Sequence, residues 1–177
     1  MTKSVWNVDK SHSALEFTVK HMMISKVRGS FADFDAKIEA DPSDLTDAKI
    51  EFSVEIDSIN TRNEDRDNHL RSNDFFDITN HPKMTFIATD IKKTSDDEYA
   101  VTGDFTLRGV TKPVTFDVTM EGVAKDPWGN EVAGFSGSAK LNRKDFGLVW
   151  NAALETGGVL VGEEVKINIE LEAHKQA

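Results

Sequence analysis

The sequence predicts an all-β fold, an up-and-down antiparallel barrel of about eight strands with one short helical insert near residues 62–76. Three observations carry this reading. Apolar and polar residues alternate with period two in run after run, as they do in strands with one buried face and one wet face. Polar breaks bearing Gly, Pro, Asp or Asn separate the runs at short intervals. One stretch, "SINTRNEDRDNHLRSNDFFDITNHP" from Ser58 to Pro82, interrupts the alternation with Arg, Asp, Asn and His.

Taken in order, "SALEFTVKH" sends Leu15, Phe17 and Val19 to one face, with His21 continuing that parity to the strand end. "VRGSFADFDAKIEA" slips phase between Phe31 and Phe34, as a bulge or bend requires. In "DAKIEFSVEID", Ala48, Ile50, Phe52, Val54 and Ile56 alternate with charged or hydroxyl residues. The insert then reads as a short helix plus a turn: Asn60 and Thr61 are cap-like, acids come early, Asp67 and Arg71 stand four apart, and Leu70, Phe75 and Phe76 come late. A helix between two barrel strands is expected to lie across one end as a plug or lid. "MTFIATDI" is apolar on both parities. "YAVTGDFTLRGVTKPVTFDVTMEGV" reads as a hairpin, with Val101, Gly103, Phe105 and Leu107 sharing one face, Val114, Phe116, Val118 and Met120 sharing another, and "RGVTKP" as the connection. "AGFSGSAKLN", carrying Phe135, Ala139 and Leu141, and "EEVKINIELEA" complete the set. "ADPSDLTD", "TSDDEY", "DPWGNE" and "ETGG" supply turns. A two-sheet sandwich of similar strand count fits the same pattern.

Length and composition narrow the function classes. The 177 residues, 38% hydrophobic, suffice for one well-buried core, and no shift in composition marks a second, so a single domain over 1–177 is expected. A net charge of −10 repels polyanions, which argues against nucleic acid as a partner. The absence of Cys removes disulfides, thiolate nucleophiles and Cys-ligated metals. No transmembrane segment is expected, since no apolar run approaches the ~20 residues that span a bilayer. The N-terminus lacks the basic start and apolar run of a leader, so a soluble, cytoplasmic protein is expected.

The chemical candidates are few. His21 is expected to be a rim or core residue, and His69 either lies on a solvated helix face or faces a pocket. There is no His-x-His pair, no His-Glu-x-x-His and no calcium-type loop, so neither a metal site nor a cofactor is expected, although His21, His69 and His81 could converge only through the fold. "GFSGSA" reads as a strand rather than a nucleophile elbow. Arg143 in "LNRKDFGLVW" is either a structural arginine with Asp145 at hand or a cation near the barrel mouth.

Five blocks together resemble the YceI-like family of lipocalin-like, polyisoprenoid-binding proteins: "SALEFTVKHMMISKVRGSF", "SINTRNEDRDNHLRSNDFFDITNHPKMTF", "VTGDFTLRGVTKPVTFDV", "LNRKDFGLVW" and "VGEEVKINIELEA". The resemblance spans almost the whole chain in order. It implies an extended barrel around an apolar tunnel, with a helical segment at residues 62–76, and a long-chain isoprenoid or similar amphiphilic lipid as ligand. No catalytic residue is a family trait, and a homodimer is compatible with the resemblance. Many members carry an export leader, from which this sequence departs.

On that footing the inward parity places Leu15, Phe17, Val19, His21, Phe52, Val54, Phe105, Phe116, Val118 and Phe135 on the tunnel wall. Arg66, His69, Arg71 and Arg143 fall on the head-group side, offering cations to a polar or phosphorylated head. Three readings of function follow: a non-enzymatic carrier or sequestering protein for the lipid, an enzyme using His69 or His21 as acid–base at the mouth, and a stress-response structural module with a filled core. A hollow interior separates the first from the last.

Overall fold

The computed structural model describes residues 3–152, 154 and 160–176. It contains eleven strands: β1 Ser4–Val8, β2 Ala14–His21, β3 Ser25–Phe31, β4 Phe34–Asp41, β5 Asp44–Glu55, β6 Ile59–Asn60, β7 Lys83–Lys93, β8 Glu98–Leu107, β9 Val110–Lys125, β10 Glu131–Asn142 and β11 Val161–Lys175. One helix, α1, spans Glu64–Arg71. All pairings are antiparallel, and the ring β1-β4-β5-β7-β8-β9-β10-β11 closes on itself through β11 against β1. Closure at eight strands removes the free edges that an open sheet exposes.

Three of the eight wall positions are each made of two strands laid end to end. The same edge of β11 pairs first with β1, at Ala173 opposite Val8, and then with β2, from Glu170 opposite Ala14 to Val161 opposite His21. Between β1 and β2 the chain makes a single 3-10 turn. β3 and β4 are parted at Ala32 and Asp33, where the phase slip between Phe31 and Phe34 falls. β5 and β6 are parted by a second 3-10 turn over Ile56–Ser58. β6 pairs with β3 and not with β7, so the wall opens above Ile56, whose amide donates to the Pro82 carbonyl at 3.0 Å. α1 and the loop after it occupy that end of the barrel.

Local chemistry explains the connections. The β8–β9 hairpin turns on Arg108 and Gly109 alone, both with positive φ (51° and 73°), the geometry that matches strand twist in a two-residue hairpin. "VTKP", expected in that connection, belongs to β9 instead. Pro113 is tolerated there because β9 pairs with β10 only from Asp117 onward, leaving one edge of β9 without a ladder at Pro113. Gly29 is required by close approach, since a Cβ there would run into the Phe17 ring. The "ETGG" turn lies outside the described residues. The turns at "ADPSDLTD", "TSDDEY" and "DPWGNE" connect successive strands.

A polar clamp fixes the point where β1 hands over to β2. Asp9 caps the 3-10 turn by accepting from the Ser11 amide at 3.0 Å and its hydroxyl at 2.6 Å. Its other oxygen lies 2.9 Å from His12 Nδ1 and 3.4 Å from His174 Nε2, and His12 Nδ1 is also 3.5 Å from Glu172. The backbone joins in: the Asp9 amide donates to the Glu172 carbonyl at 2.7 Å, and the Glu172 amide donates to Ser13 Oγ at 3.1 Å. At the far side of β1, Trp6 is 2% exposed and its indole donates to the Ala40 carbonyl at 3.1 Å. The ring is thus tied at its closing strand by side chains as well as by the ladder.

The clamp makes closure pH-dependent with a definite sign. The Ser11 hydroxyl, then His12, hold the Asp9 carboxyl well below its ordinary value of 3.8. Its hydrogen bond to Asp9, then the charge of Glu172, raise His12 above its ordinary 6.5. A depressed carboxyl stabilises above its unfolded pKa and loses that contribution as pH falls. A raised histidine stabilises fully below 6.5 and loses its contribution as pH climbs through the folded-state value. Thermal unfolding followed by circular dichroism is therefore expected to show Tm falling on the alkaline side of 6.5 in the native chain, with a flatter slope in His12→Ala.

Candidate functional site

The inward faces do not meet. A single cavity of about 550 Å³ runs through the barrel, from Ile38, Ala40 and Leu45 at one end to Arg66, His69 and Leu70 of α1 at the other. Its size falls within the ~300–1,000 Å³ of small-molecule sites. All ten residues expected on the tunnel wall line it. Leu15, Phe17, Val54, Phe105, Phe116 and Phe135 are buried there, and Val19, His21, Phe52 and Val118 are half-buried. The phenylalanines stand around the void rather than filling it. Phe86 and Phe116 meet edge to face at 5.0 Å, and Phe17 and Phe31 lie tilted at 5.5 Å, so the rings pack along the wall.

Other parts of the lining escaped the sequence pattern. Ile38 follows the phase slip, so its parity could not be carried over from Phe31. Met84 and Phe86 lie in "MTFIATDI", which is apolar on both parities, whereas Val101 follows the face already read for Phe105. Leu148, Trp150 and Leu160 come from an irregular segment with no period to read. Lys20 also borders the cavity although it is exposed.

The α1 end is polar and tightly tied. Asn63 caps the helix by accepting from the Arg66 amide at 3.0 Å. Asp67, 7% exposed, turns inward and accepts from the amide of buried Thr61 at 2.9 Å and from its hydroxyl. Arg66 donates from Nε to the Thr61 hydroxyl at 2.8 Å and from Nη2 to its carbonyl at 2.6 Å. The spacing of Asp67 and Arg71 therefore does not make an ion pair. Arg71 instead pairs with Asp57 at 3.0 Å and donates to the carbonyls of Asp57 and Ile59. Nor does Arg71 line the cavity, which corrects its placement on the head-group side: its guanidinium pins the helix to the β5–β6 turn.

His69 borders the cavity within an aromatic cluster. Its ring meets Phe75 edge-on at 5.0 Å and Trp150 at 4.7 Å, and Nε2 lies 2.8 Å from Asp74. That arrangement sets the ring's orientation and packs it as part of the rim. His21 also borders the cavity, from the end of β2.

Arg143 is 4% exposed and borders the cavity. Asp145 is not its partner. The guanidinium donates to four carbonyls instead: Leu148 at 2.6 Å, Gly162 at 2.8 Å, Trp150 at 2.9 Å and Val161 at 3.3 Å. Among the described residues no carboxylate stands in ion-pair contact with it, and the nearby Glu163 is engaged by Lys144 at 2.7 Å. Burial pushes its pKa down from the ordinary arginine value, but an arginine keeps its charge at neutral pH. The result is a buried cation held by dipoles. Arg108, unremarked in the sequence, does similar work outside the bore, donating to the carbonyls of Asn73, Phe75 and Gly147 and so joining the β8–β9 turn to the α1 loop. Its position before Gly109 marks a turn but gives no sign of those partners.

A closed eight-stranded antiparallel barrel with an apolar bore and a short helix at one end defines a lipocalin-like protein. The YceI-like domain model matches residues 6–173, and the chain belongs to that family. It is 46% identical over 173 residues to a UPF0312 protein of Staphylococcus epidermidis, covering 97% of each chain. It superimposes on the crystal structure of the Campylobacter jejuni YceI protein with a TM-score of 0.77 at 36% identity, covering 89% of this chain and 90% of that one. A polyisoprenoid binding domain from Saccharophagus degradans, implicated in plant cell wall breakdown, shares the fold at a TM-score of 0.72 and 11% identity, covering 98% of this chain and 99% of that one. No helix among the described residues is long and apolar enough to cross a membrane.

Replacing Arg143 tests its structural share. Arg143→Met leaves buried carbonyls without donors, at ~1–3 kcal/mol for each orphaned group, so denaturant unfolding is expected to show a loss of several kcal/mol. Arg143→Lys recovers only a fraction, because an ammonium cannot fork to four carbonyls.

Proposed function

We propose that this protein acts over its whole length as one lipid-binding unit that carries or sequesters a long-chain isoprenoid or similar amphiphile, without turning it over. The observation that carries the reading is the 550 Å³ apolar bore itself. A module stabilised by a filled interior has no use for such a void, because a wall without neighbours forfeits dispersion contacts. Gross gain on filling it is large: at ~0.8 kcal/mol per methylene, each five-carbon isoprene unit offers several kcal/mol, enough for tight binding after ordering costs.

The volume also bounds the guest. An apolar cavity of ~150 Å³ accommodates one benzene, so this bore takes roughly twenty carbons, or about four isoprene units. A longer chain would extend past the mouth. The head is assigned to the α1 end, where Arg66, His69 and Arg143 border the bore and Lys20 adds an exposed cation. Arg143 favours an anionic or strongly dipolar head, because no described carboxylate is in ion-pair contact with it, although Glu16 and Asp65 also border the bore. The polar groups at this rim support binding over catalysis: Arg66, His69 and Arg143 are already committed to Thr61, Asp74 and the 148–162 carbonyls. The related domain from Saccharophagus degradans is named for binding a polyisoprenoid, which supports this ligand class.

Solvent extraction of protein purified without denaturant, followed by mass spectrometry, is expected to yield an amphiphile with an apolar chain. In the native protein an environment-sensitive apolar fluorophore should enter the emptied bore, and Val118→Trp should reduce its uptake by filling part of the wall. A natively folded protein that yields no such molecule and excludes the fluorophore overturns the reading.

A further inference from the structure

The β2–β3 hairpin carries an apolar tip turned largely to solvent. Met22, Met23 and Ile24 are 41%, 59% and 84% exposed, and they are consecutive. Their backbone is specified: Met22 and Met23 both have positive φ, 53° and 62°, and the Met22 amide donates to the Leu160 carbonyl at 2.8 Å. A methionine in the left-handed region costs ~1–2 kcal/mol relative to the right-handed one, so the tip is held by its register and not left to collapse inward.

Within the hairpin itself, charge has one sign. From Phe17 to Ala32 the chain has Lys20, Lys26 and Arg28 and no acidic residue, although the whole molecule carries −10. All three cations are exposed, and none is paired with a described carboxylate. On the neighbouring strand Glu163 is taken by Lys144, and the exposed Glu164 beside it is the acid nearest the hairpin in that ladder. The outer edge of β3 pairs with β6 only at Ser30 and Phe31, so from Ser25 to Arg28 that edge has no strand partner among the described residues.

The inner face of the same hairpin is cavity wall. Val19, His21 and Val27 border the bore, and Val161, opposite His21, borders it too. Apolar side chains at a rigid tip, cations just behind them and an apolar bore beneath match an anionic bilayer, with its hydrocarbon under a negative surface.

We propose that the Met22–Ile24 tip inserts into the surface of a membrane rich in anionic phospholipid, seating Lys20, Lys26 and Arg28 among the head groups and placing the bore mouth where a lipid chain can pass. This rests on the carrier reading for its purpose but not for its physics. The occupant is a lipid bilayer, recognised by hydrocarbon and negative charge together.

Cosedimentation of the full chain with vesicles of phosphatidylglycerol and phosphatidylcholine, against phosphatidylcholine alone, tests it. The native protein is expected to bind the anionic vesicles, to prefer them over neutral ones, and to be released by added salt. Ile24→Asp should weaken binding roughly tenfold to a hundredfold by removing a buried apolar side chain and adding a repelled charge. Lys26→Ala and Arg28→Ala should each weaken it roughly fivefold. Met23→Asn, which suits positive φ, should weaken it without disturbing the turn. Native protein that stays off anionic vesicles overturns the proposal, as does Ile24→Asp that folds natively and binds them undiminished. Uptake of the apolar fluorophore in solution, measured on the same proteins, separates the two readings. A bore that fills in a protein indifferent to vesicles removes the docking proposal alone. Tip-dependent vesicle binding with a bore that excludes the fluorophore sustains docking and removes the carrier.

Discussion

The structure depends on a closed ladder of backbone hydrogen bonds around an interior that side chains leave unfilled. In a packed domain the core holds the shell together, and dispersion contacts across the middle contribute heavily. Here the opposite walls are kept apart by about 550 Å³ of space, so the shell must hold itself. Antiparallel pairing around all eight positions does this, and rings that touch along the wall, such as Phe86 with Phe116, stiffen it without crossing the bore. The void is affordable only because the ring has no open end in the hydrogen-bonding direction.

Where the ladder is interrupted, side chains take over. Each of the three breaks has its own device. Asp9, Ser13 and Glu172 bridge the gap between β1 and β2. Arg71 secures the β5–β6 turn, and the Ser58 hydroxyl accepts from the Asp33 amide across the β3–β4 break. Irregular segments at the α1 end present carbonyls with no ladder to receive them, and Arg108 and Arg143 gather those carbonyls in threes and fours. Arginine suits this work because one planar side chain carries five donors and keeps its charge when buried. A cation held by carbonyl dipoles rather than by a salt bridge keeps its charge unpaired at the edge of the bore, which links the structural role of Arg143 to the head group proposed for it.

Local pattern made much of this fold legible. Period two located the long strands and the inward parity from Leu15 to Phe135, and the slip between Phe31 and Phe34 marked a real break in the wall. The crowded polar insert announced α1 through its acids and late apolar residues. Pairings over distance were not legible. Asp67 and Arg71 have helical spacing, yet Asp67 turns to Thr61 and Arg71 to Asp57, because each side chain answers to a backbone group fixed by the barrel. Arg143 has Asp145 two residues away and uses carbonyls of the 148–162 segment instead. β1, five residues with Trp6 as its one buried side chain, is too short to display alternation, and only closure against β11 reveals its purpose.

The order of strands along the chain has a consequence for biogenesis. β1 and β2 are made first, and their shared partner β11 is the last of the eleven strands to be translated. Between the emergence of β10 and that of β11, then, the nascent sheet presents two bare rims, one along β1 and β2 and one along β10, each able to recruit a stranger's strand. Sealing the cylinder is therefore a late, single event, and the ribosome or a chaperone that shields those rims until β11 is available would govern how much of the polypeptide reaches its hollow form.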